Sequence, residues 1–414
     1  MEAFDTGIAG STRRGAGDPL VYDPFDPATM RDPFPVYRRL RAEQPVCHNA
    51  ERDFFALSRF DDIFRALRDP ETFSSAEGLT PVKGEKELLG LAPTFIMMDP
   101  PDHTRLRRLV SKSFTRERVA ALEAPIRDFV RSRFDRVLEL AARDGEVDLV
   151  RHFTSPLPTF VLAELLGVPE ADRERFDPWS SAITGATLEP EKVEHAVIAV
   201  AQLFQFFVGL IERRRVEPGD DMLSSLVLAQ RDGEPLTNWD ILGFCFVFLA
   251  GGNDTTDHLV ASGAALLADH PEERARLLAD RSLVPTAVEE FLRIEAPVQG
   301  LSRATTRDVE LHGVRIPKGS KVHLLFGSGN RDEREFGERS EVLDVARPIE
   351  RHLSFSQGPH FCIGAHLGRL MARAAFEELL ARAPAYVLPR AQRKPTLSPF
   401  VRGYESLVFR PTPG

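Results

Sequence analysis

The longest helical pattern in the chain runs from Trp239 to Leu267, and its first half holds the most apolar stretch of the sequence, Ile241–Gly252. That stretch is too short for a membrane span of about 20 residues. A second uncharged run, Ala196–Ile211, contains Gln202 and Gln205 and reads as a buried amphipathic helix. Further helical periodicity covers Thr115–Ala142, Phe160–Leu166, Glu191–Arg215, Met222–Gln230, Pro271–Leu278 and Val284–Leu292. Asn238 is the expected N-cap of the long helix, and Pro271 a first-turn residue of the next. Strand-like segments are fewer: Phe54–Leu57, Val309–Ile316, Lys321–Phe326 and Ser406–Arg410, with turns at Gly313 and Pro317–Gly319. At roughly 150 residues per domain, 414 residues would suggest about three. No repeat, low-complexity tract or linker divides them. The expectation is a mainly α chain with small β-sheets: a loose N-terminal segment, 1–31, then one large domain, 32–414.

Charge and cysteine usage narrow the function. The net charge of −9 is spread along the chain, which argues against nucleic acid or an anionic membrane as partner. Three scattered cysteines, Cys47, Cys245 and Cys362, allow neither a disulfide framework nor a cysteine-rich zinc site, so the cytoplasm is the expected compartment. The N-terminus has no apolar core of a signal peptide. No GxxxxGK[ST], HExxH or strand-linked GxGxxG occurs, so a standard nucleotide module is not expected.

Most free cysteines are small buried hydrophobes, the reading given to Cys47 and Cys245. Cys362 differs. It ends a Gly-containing loop, Phe355–Gly364, and precedes a helical pattern with Leu367, Leu370, Met371 and Ala374 on one face. A thiol at the positive end of a helix is expected to favour thiolate, and the glycines let backbone pass close to a flat ligand.

This loop resembles the haem-ligand loop of the cytochrome P450 family, in its soluble bacterial form. Phe355, Gly358, His360, Cys362 and Gly364 match Phe-x-x-Gly-x-His/Arg-x-Cys-x-Gly in register. Three further motifs follow the family's order. Glu290 and Arg293 match its Glu-x-x-Arg pair, with Arg347 as their partner in a structural network. Ala250–Thr256 resembles its distal helix, in which Asp254 relays protons, Thr255 hydrogen-bonds dioxygen and its water, Thr256 supports them, and two glycines leave room. His103 and Arg107 resemble its His-x-x-x-Arg, and with Arg303 and His360 they match donors to the haem carboxylates. Ser356 stands where many members carry Gly, and Gly368 where Ala is common.

The resemblance implies a single haem domain binding haem b (iron protoporphyrin), with Cys362 as iron ligand and Phe355 and Gly364 beside it. The implied activity is a monooxygenase that inserts one atom of dioxygen into a C–H or C=C bond of an apolar small molecule. Electrons would come from a ferredoxin and its reductase, docking where Arg105, Arg108, Lys112 and Arg373 form a basic face. The pocket would draw on Phe95, Phe246, Ala250, Val298, Leu301, Phe400 and Val401, with the stretches 79–95 and 184–188. Few charges there favour a terpenoid, fatty acyl, steroid-like or polyketide skeleton. A cytoplasmic monomer without membrane or nucleic-acid contacts is expected. The alternatives are a haem-thiolate peroxygenase using hydrogen peroxide, against which Asp254 and Thr255 weigh, and a non-catalytic haem sensor or ligand carrier.

Overall fold

The computed structural model describes residues 20–84, 94–176, 178, 179, 182 and 190–412. Its main helices are α1 (Phe34–Glu43), α2 (Phe60–Arg68), α3 (Asp102–Ser111), α4 (Glu123–Asp144), α5 (Pro156–Leu166), α6 (Pro190–Val216), α7 (Met222–Arg231), α8 (Asn238–Asp269), α9 (Pro271–Ala279), α10 (Val284–Ile294) and α11 (Ala365–Arg382). Their origin is visible in the sequence. Helix α4 buries Ile126, Val130, Phe134, Val137 and Leu140 at helical spacing and stops at Gly145, whose φ of +81° takes the left-handed cap. The expected helix Thr115–Ala142 is split, because Arg116–Ala121 ends at Leu122 and α4 begins at Glu123. The cap of α8 is Thr237 rather than Asn238: Thr237 Oγ1 accepts from the Asp240 amide at 3.1 Å while the Asp240 carboxylate accepts from the Thr237 amide at 2.7 Å.

Helix α8 is the axis of the helical core, packing on α5, α6, α10 and α11. At Gly263 the neighbours come so close that a Cβ would lie 2.4 Å from Phe376 and 2.8 Å from Phe291. No described helix is long and apolar enough to cross a membrane.

Beside the helices lies a five-stranded sheet, ordered β1 (Val46–Asn49), β2 (Phe54–Leu57), β5 (Lys321–Leu324), β4 (Leu301–Thr305), β3 (Phe73–Ser74). β1 and β2 form a hairpin, with Val46 opposite Leu57, and β2 runs parallel to β5, with Phe54 opposite Lys321. Val309–Leu311 and Val314–Ile316 form the expected hairpin, turning at His312 and Gly313, both at positive φ. The N-terminal segment is not loose from Leu20 onward. Tyr22 is buried, its ring stacks on His323 at 6.2 Å, and its carbonyl accepts from Asn49 Nδ2 at 2.9 Å. The folded unit therefore includes residues upstream of Asp32.

Glu290, Arg293 and Arg347 meet in a buried network. Arg293 donates to both Glu290 oxygens, at 2.7 and 2.8 Å, with both side chains fully buried. It also donates to the carbonyls of Asn330 at 2.7 Å and Ser340 at 2.6 Å. Arg347 Nε reaches Glu290 at 3.2 Å. Glu290→Ala leaves the Arg293 guanidinium without its counter-charge and is expected to cost about 3–5 kcal/mol, read from urea unfolding.

His323 is fully buried in β5 and takes a hydrogen bond geometry with Ser302 Oγ at 2.9 Å through Nδ1. Burial, aided by Lys321, holds its pKa down to about 3. Its folded-state pKa lies below the unfolded value near 6.5, so as pH falls below 6.5 the unfolded chain takes a proton that the folded chain refuses. Stability should therefore fall from about pH 6.5 toward pH 3. His323→Gln should flatten the slope by about 1.4 kcal/mol per pH unit, measured by unfolding across that range.

Candidate functional site

The loop before α11 is shaped by close backbone contacts. Gly358 has φ +66°, and a Cβ there would lie 2.5 Å from the Leu67 carbonyl. Ser356 also sits in the left-handed region, at φ +59°, which is why glycine suits that position. The Cys362 amide donates to the Phe355 carbonyl at 2.7 Å, folding the chain back so that the thiol lies over the start of α11. Phe355 packs under the guanidinium of Arg369, 4.5 Å from its ring centre. Burial pushes the Cys362 thiol up, while the Gly364 amide, Arg107 and Arg369 pull it down. Burial wins, so the expectation that the helix terminus alone favours thiolate is corrected. Arg369, which no sequence signal marked as a neighbour of this thiol, grips Glu289 at 2.6 and 2.8 Å.

One rim of the site is cationic. His103 and Arg107 come from α3, Arg303 from β4 and His360 from the cysteine loop. The rings of His103 and His360 lie 4.1 Å apart, and both nitrogens of the buried His103 lack a partner among the described residues. Arg303 is 2% exposed and donates to the Ser302 carbonyl at 2.8 Å. Arg107 donates to the Phe361 carbonyl. Burial holds His103 down to about 4 and His360 to about 3, with the neighbouring arginines adding to both, and burial draws Arg303 to about 10. Ser75 Oγ, which no sequence signal marked, lies 3.2 Å from His360 Nε2. Asp99 faces this group but already accepts from Ser74 Oγ and, at 2.9 Å, from the Ser75 amide. Orphaned imidazole nitrogens and an under-bonded buried guanidinium are the donor set for a ligand with carboxylates, so these residues fit the propionates of haem.

Across from them runs the middle of α8. Thr255 Oγ1 donates to the Gly251 carbonyl at 2.9 Å. Asp254 is partly exposed, and Asn253 Nδ2 lies 3.5 Å from it. Asn253 accepts from Thr159 at 2.8 Å, and Asp257 accepts from Thr154 in the π-helical turn Val150–Thr154. These bonds fix the rotation of α8 against α5. The two glycines are not equivalent: Gly251 is exposed with open space around its Cβ position, whereas a Cβ on Gly252 would press on Leu162 at 3.1 Å. Thr256 is buried and turned toward Gly368 of α11, where a Cβ would meet its hydroxyl at 3.9 Å.

The expected pocket residues divide. Phe246, Ala250, Val298, Leu301, Phe400 and Val401 are all partly exposed. Val298 bridges Val401, and the Gln299 amide donates to the Phe400 carbonyl at 2.8 Å. Phe95 is buried, its ring parallel to His103 at 6.2 Å. Of the expected lining stretches, 85–93 and the whole of 184–188 lie outside the described residues. The basic face is weaker than its composition suggests. Arg108 pairs with Glu234 at 3.3 Å and Arg373 with Glu123 at 2.7 Å, leaving the half-buried Arg105 and the exposed Lys112 as its cations without an ion pair among the described residues.

Comparison with known proteins matches residues 186–411 to the cytochrome P450 family model. Cytochrome P450 130 of Mycobacterium tuberculosis is 43% identical over 393 residues, covering 93% of this chain and 96% of that protein. The vitamin D(3) 25-hydroxylase of Pseudonocardia autotrophica is 37% identical, covering 89% and 90%. The crystal structure of CYP109E1 from Bacillus megaterium in complex with testosterone superposes with a TM-score of 0.83 at 32% identity, covering 94% of this chain and all of that one.

Arg303→Met removes a buried charge that lacks a full set of partners. The haem-free protein should keep or gain stability, by up to roughly 4 kcal/mol, in urea unfolding. Haem loss to an excess of apomyoglobin should at the same time accelerate.

Proposed function

The chain belongs to the cytochrome P450 family of haem-thiolate monooxygenases, which carry haem b, and from that premise we propose that it inserts one atom of dioxygen into a C–H or C=C bond of an apolar small molecule. The other oxygen atom leaves as water, and the electrons come from a ferredoxin and its reductase in the cytoplasm. The observation that carries the reading is the set of buried donors beside Cys362: among the described residues neither nitrogen of His103 has a partner, and Arg303 donates only to the Ser302 carbonyl.

In this reading His103, Arg107, Arg303 and His360 hold the two propionates, and Phe355 and Gly364 flank the ligating sulfur. Bound haem supplies dioxygen binding and activation, with the thiolate favouring O–O cleavage. Burial disfavours the charged thiol, so the Gly364 amide and Arg107, which favour the charged form, are the groups of this chain that would help hold a thiolate once iron is bound. Thr255 spends its one proton on the Gly251 carbonyl, so its oxygen offers lone pairs to the pocket and accepts a hydrogen bond there. Asp254, in reach of water, takes protons from solvent and passes them along α8. The uncharged lining supports an apolar skeleton. A fused-ring, sterol-like molecule has the most direct support, given the vitamin D(3) hydroxylase and the testosterone-bound relative.

The reduced, carbon-monoxide-bound protein should show the red-shifted Soret band of thiolate ligation, and Cys362→Ser should abolish it. Thr255→Ala, assayed with testosterone as trial substrate, ferredoxin and reductase, should lower product per electron consumed by about tenfold or more. Unchanged coupling would remove Thr255 from proton handling. Equal turnover with hydrogen peroxide alone would favour the peroxygenase.

A further inference from the structure

Phe400 and Val401 lie in the loop that joins two short paired strands, Lys394–Pro395 and Tyr404–Ser406. The main chain of this loop is pinned to the segment after α10. The Gln299 amide donates to the Phe400 carbonyl and the Arg402 amide to the Pro297 carbonyl, both at 2.8 Å. Backbone bonds of this kind fix the path of the chain and leave the side-chain torsions of Phe400 free.

The Phe400 ring meets a residue from the other end of the chain. Phe25 stands edge to face with it, the centroids 6.0 Å apart and the planes at 89°, a favourable aromatic geometry. Phe25 is itself held in place. Arg52, in the turn between β1 and β2, lies 4.6 Å over the Phe25 ring and pairs with Asp23 at 2.8 Å. The next residue, Asp26, caps the short turn Pro27–Arg31 by accepting from the Thr29 amide at 2.9 Å. That turn ends at Arg31, whose carbonyl accepts from Arg402 at 3.0 Å, while Arg402 also pairs with Glu295 at 2.7 Å. The segment 23–31 thus grips the loop on either side of Val401, at Phe400 and at Arg402. The crevice between them, lined in part by Met30, Ser398 and Val401, measures about 10 Å³, no more than one water fills.

Phe25 and Phe400 both remain partly exposed, so their contact adds little to the core. We propose that Phe25 is a positioning residue for substrate selection: it sets the Phe400 ring against the substrate without touching the substrate itself. Through this contact the N-terminal segment determines the shape of one pocket wall. The proposal rests on the reading of Phe400 as pocket lining in an oxygenase of apolar molecules.

The test titrates the haem-loaded enzyme with two ligands of its iron and follows the spectral shift. Imidazole is too small to reach the pocket walls, whereas clotrimazole, a triaryl imidazole, presses on them. Phe400→Ala should weaken clotrimazole about tenfold and Phe25→Ala about fivefold, with imidazole within about twofold of the parent in both. The double variant should bind clotrimazole within about twofold of Phe400→Ala alone, because Phe25 acts through that ring. Phe25→Tyr, which keeps the ring, should bind as the parent does. Parental clotrimazole binding by Phe25→Ala, beside a weakened Phe400→Ala, overturns the proposal and leaves the pocket reading standing. Additive losses in the double variant, or equal weakening of imidazole, overturn it as well, since either marks a general loosening. If Phe25→Ala does not fold, Phe25→Leu carries the test, with clotrimazole expected about threefold weaker and parental binding counting against the proposal. Clotrimazole binding that Phe400→Ala does not change would instead remove Phe400 from the pocket, and the proposal with it. An iron spectrum that responds to neither ligand would overturn the haem-thiolate reading.

Discussion

The site depends on one buried ion pair. Arg293 and Glu290 lie on the same face of α10 and are fully buried, so each is tolerable only because the other is there. The remaining donors of Arg293 reach the backbone at Asn330 and Ser340, which ties α10 to the segment that follows β5. Asn330 then passes the constraint on. Its side chain accepts from the Leu353 amide at 2.7 Å and donates to Ser354 at 2.8 Å. Phe355, whose carbonyl holds the Cys362 amide, is the next residue. A charge pair far along the chain from the thiol thus fixes where the thiol's backbone lies.

Around that anchor the polar groups are segregated. Basic residues from α3, β4 and the cysteine loop gather on one rim, and an acid and a hydroxyl lie on α8. The basic rim is electrostatically incomplete by itself, with histidines held neutral and a guanidinium short of acceptors. Any dianion that completes it binds the folded state alone, so its affinity adds directly to the stability of the fold. Cofactor retention and folding are in this sense one equilibrium.

Much of this was legible in the sequence, because the signals were local. Helical periodicity located α5 to α10 to within a few residues, and Glu290 and Arg293 had to share a face at a spacing of three. What escaped was collective or distant. The parallel pairing of β2 with β5 joins segments more than half the chain apart. The direction of the Cys362 shift is a contest between burial and three polar neighbours. The difference between Gly251 and Gly252 depends on Leu162 in another helix. The basic face lost strength because Glu234 and Glu123 fold back onto Arg108 and Arg373. The N-terminal residues looked polar and loose, yet Tyr22 finds a stacking partner in His323.

Ser356 carries a left-handed backbone without glycine's freedom, at a cost of roughly 1 kcal/mol. Glycine at the same position would relax that conformation but would also widen the unfolded ensemble, forfeiting about 0.4–1 kcal/mol. The two effects nearly cancel. Mutation between serine and glycine at this one position is therefore close to selectively neutral for folding, and a lineage can drift from one to the other while the loop that presents Cys362 keeps its shape.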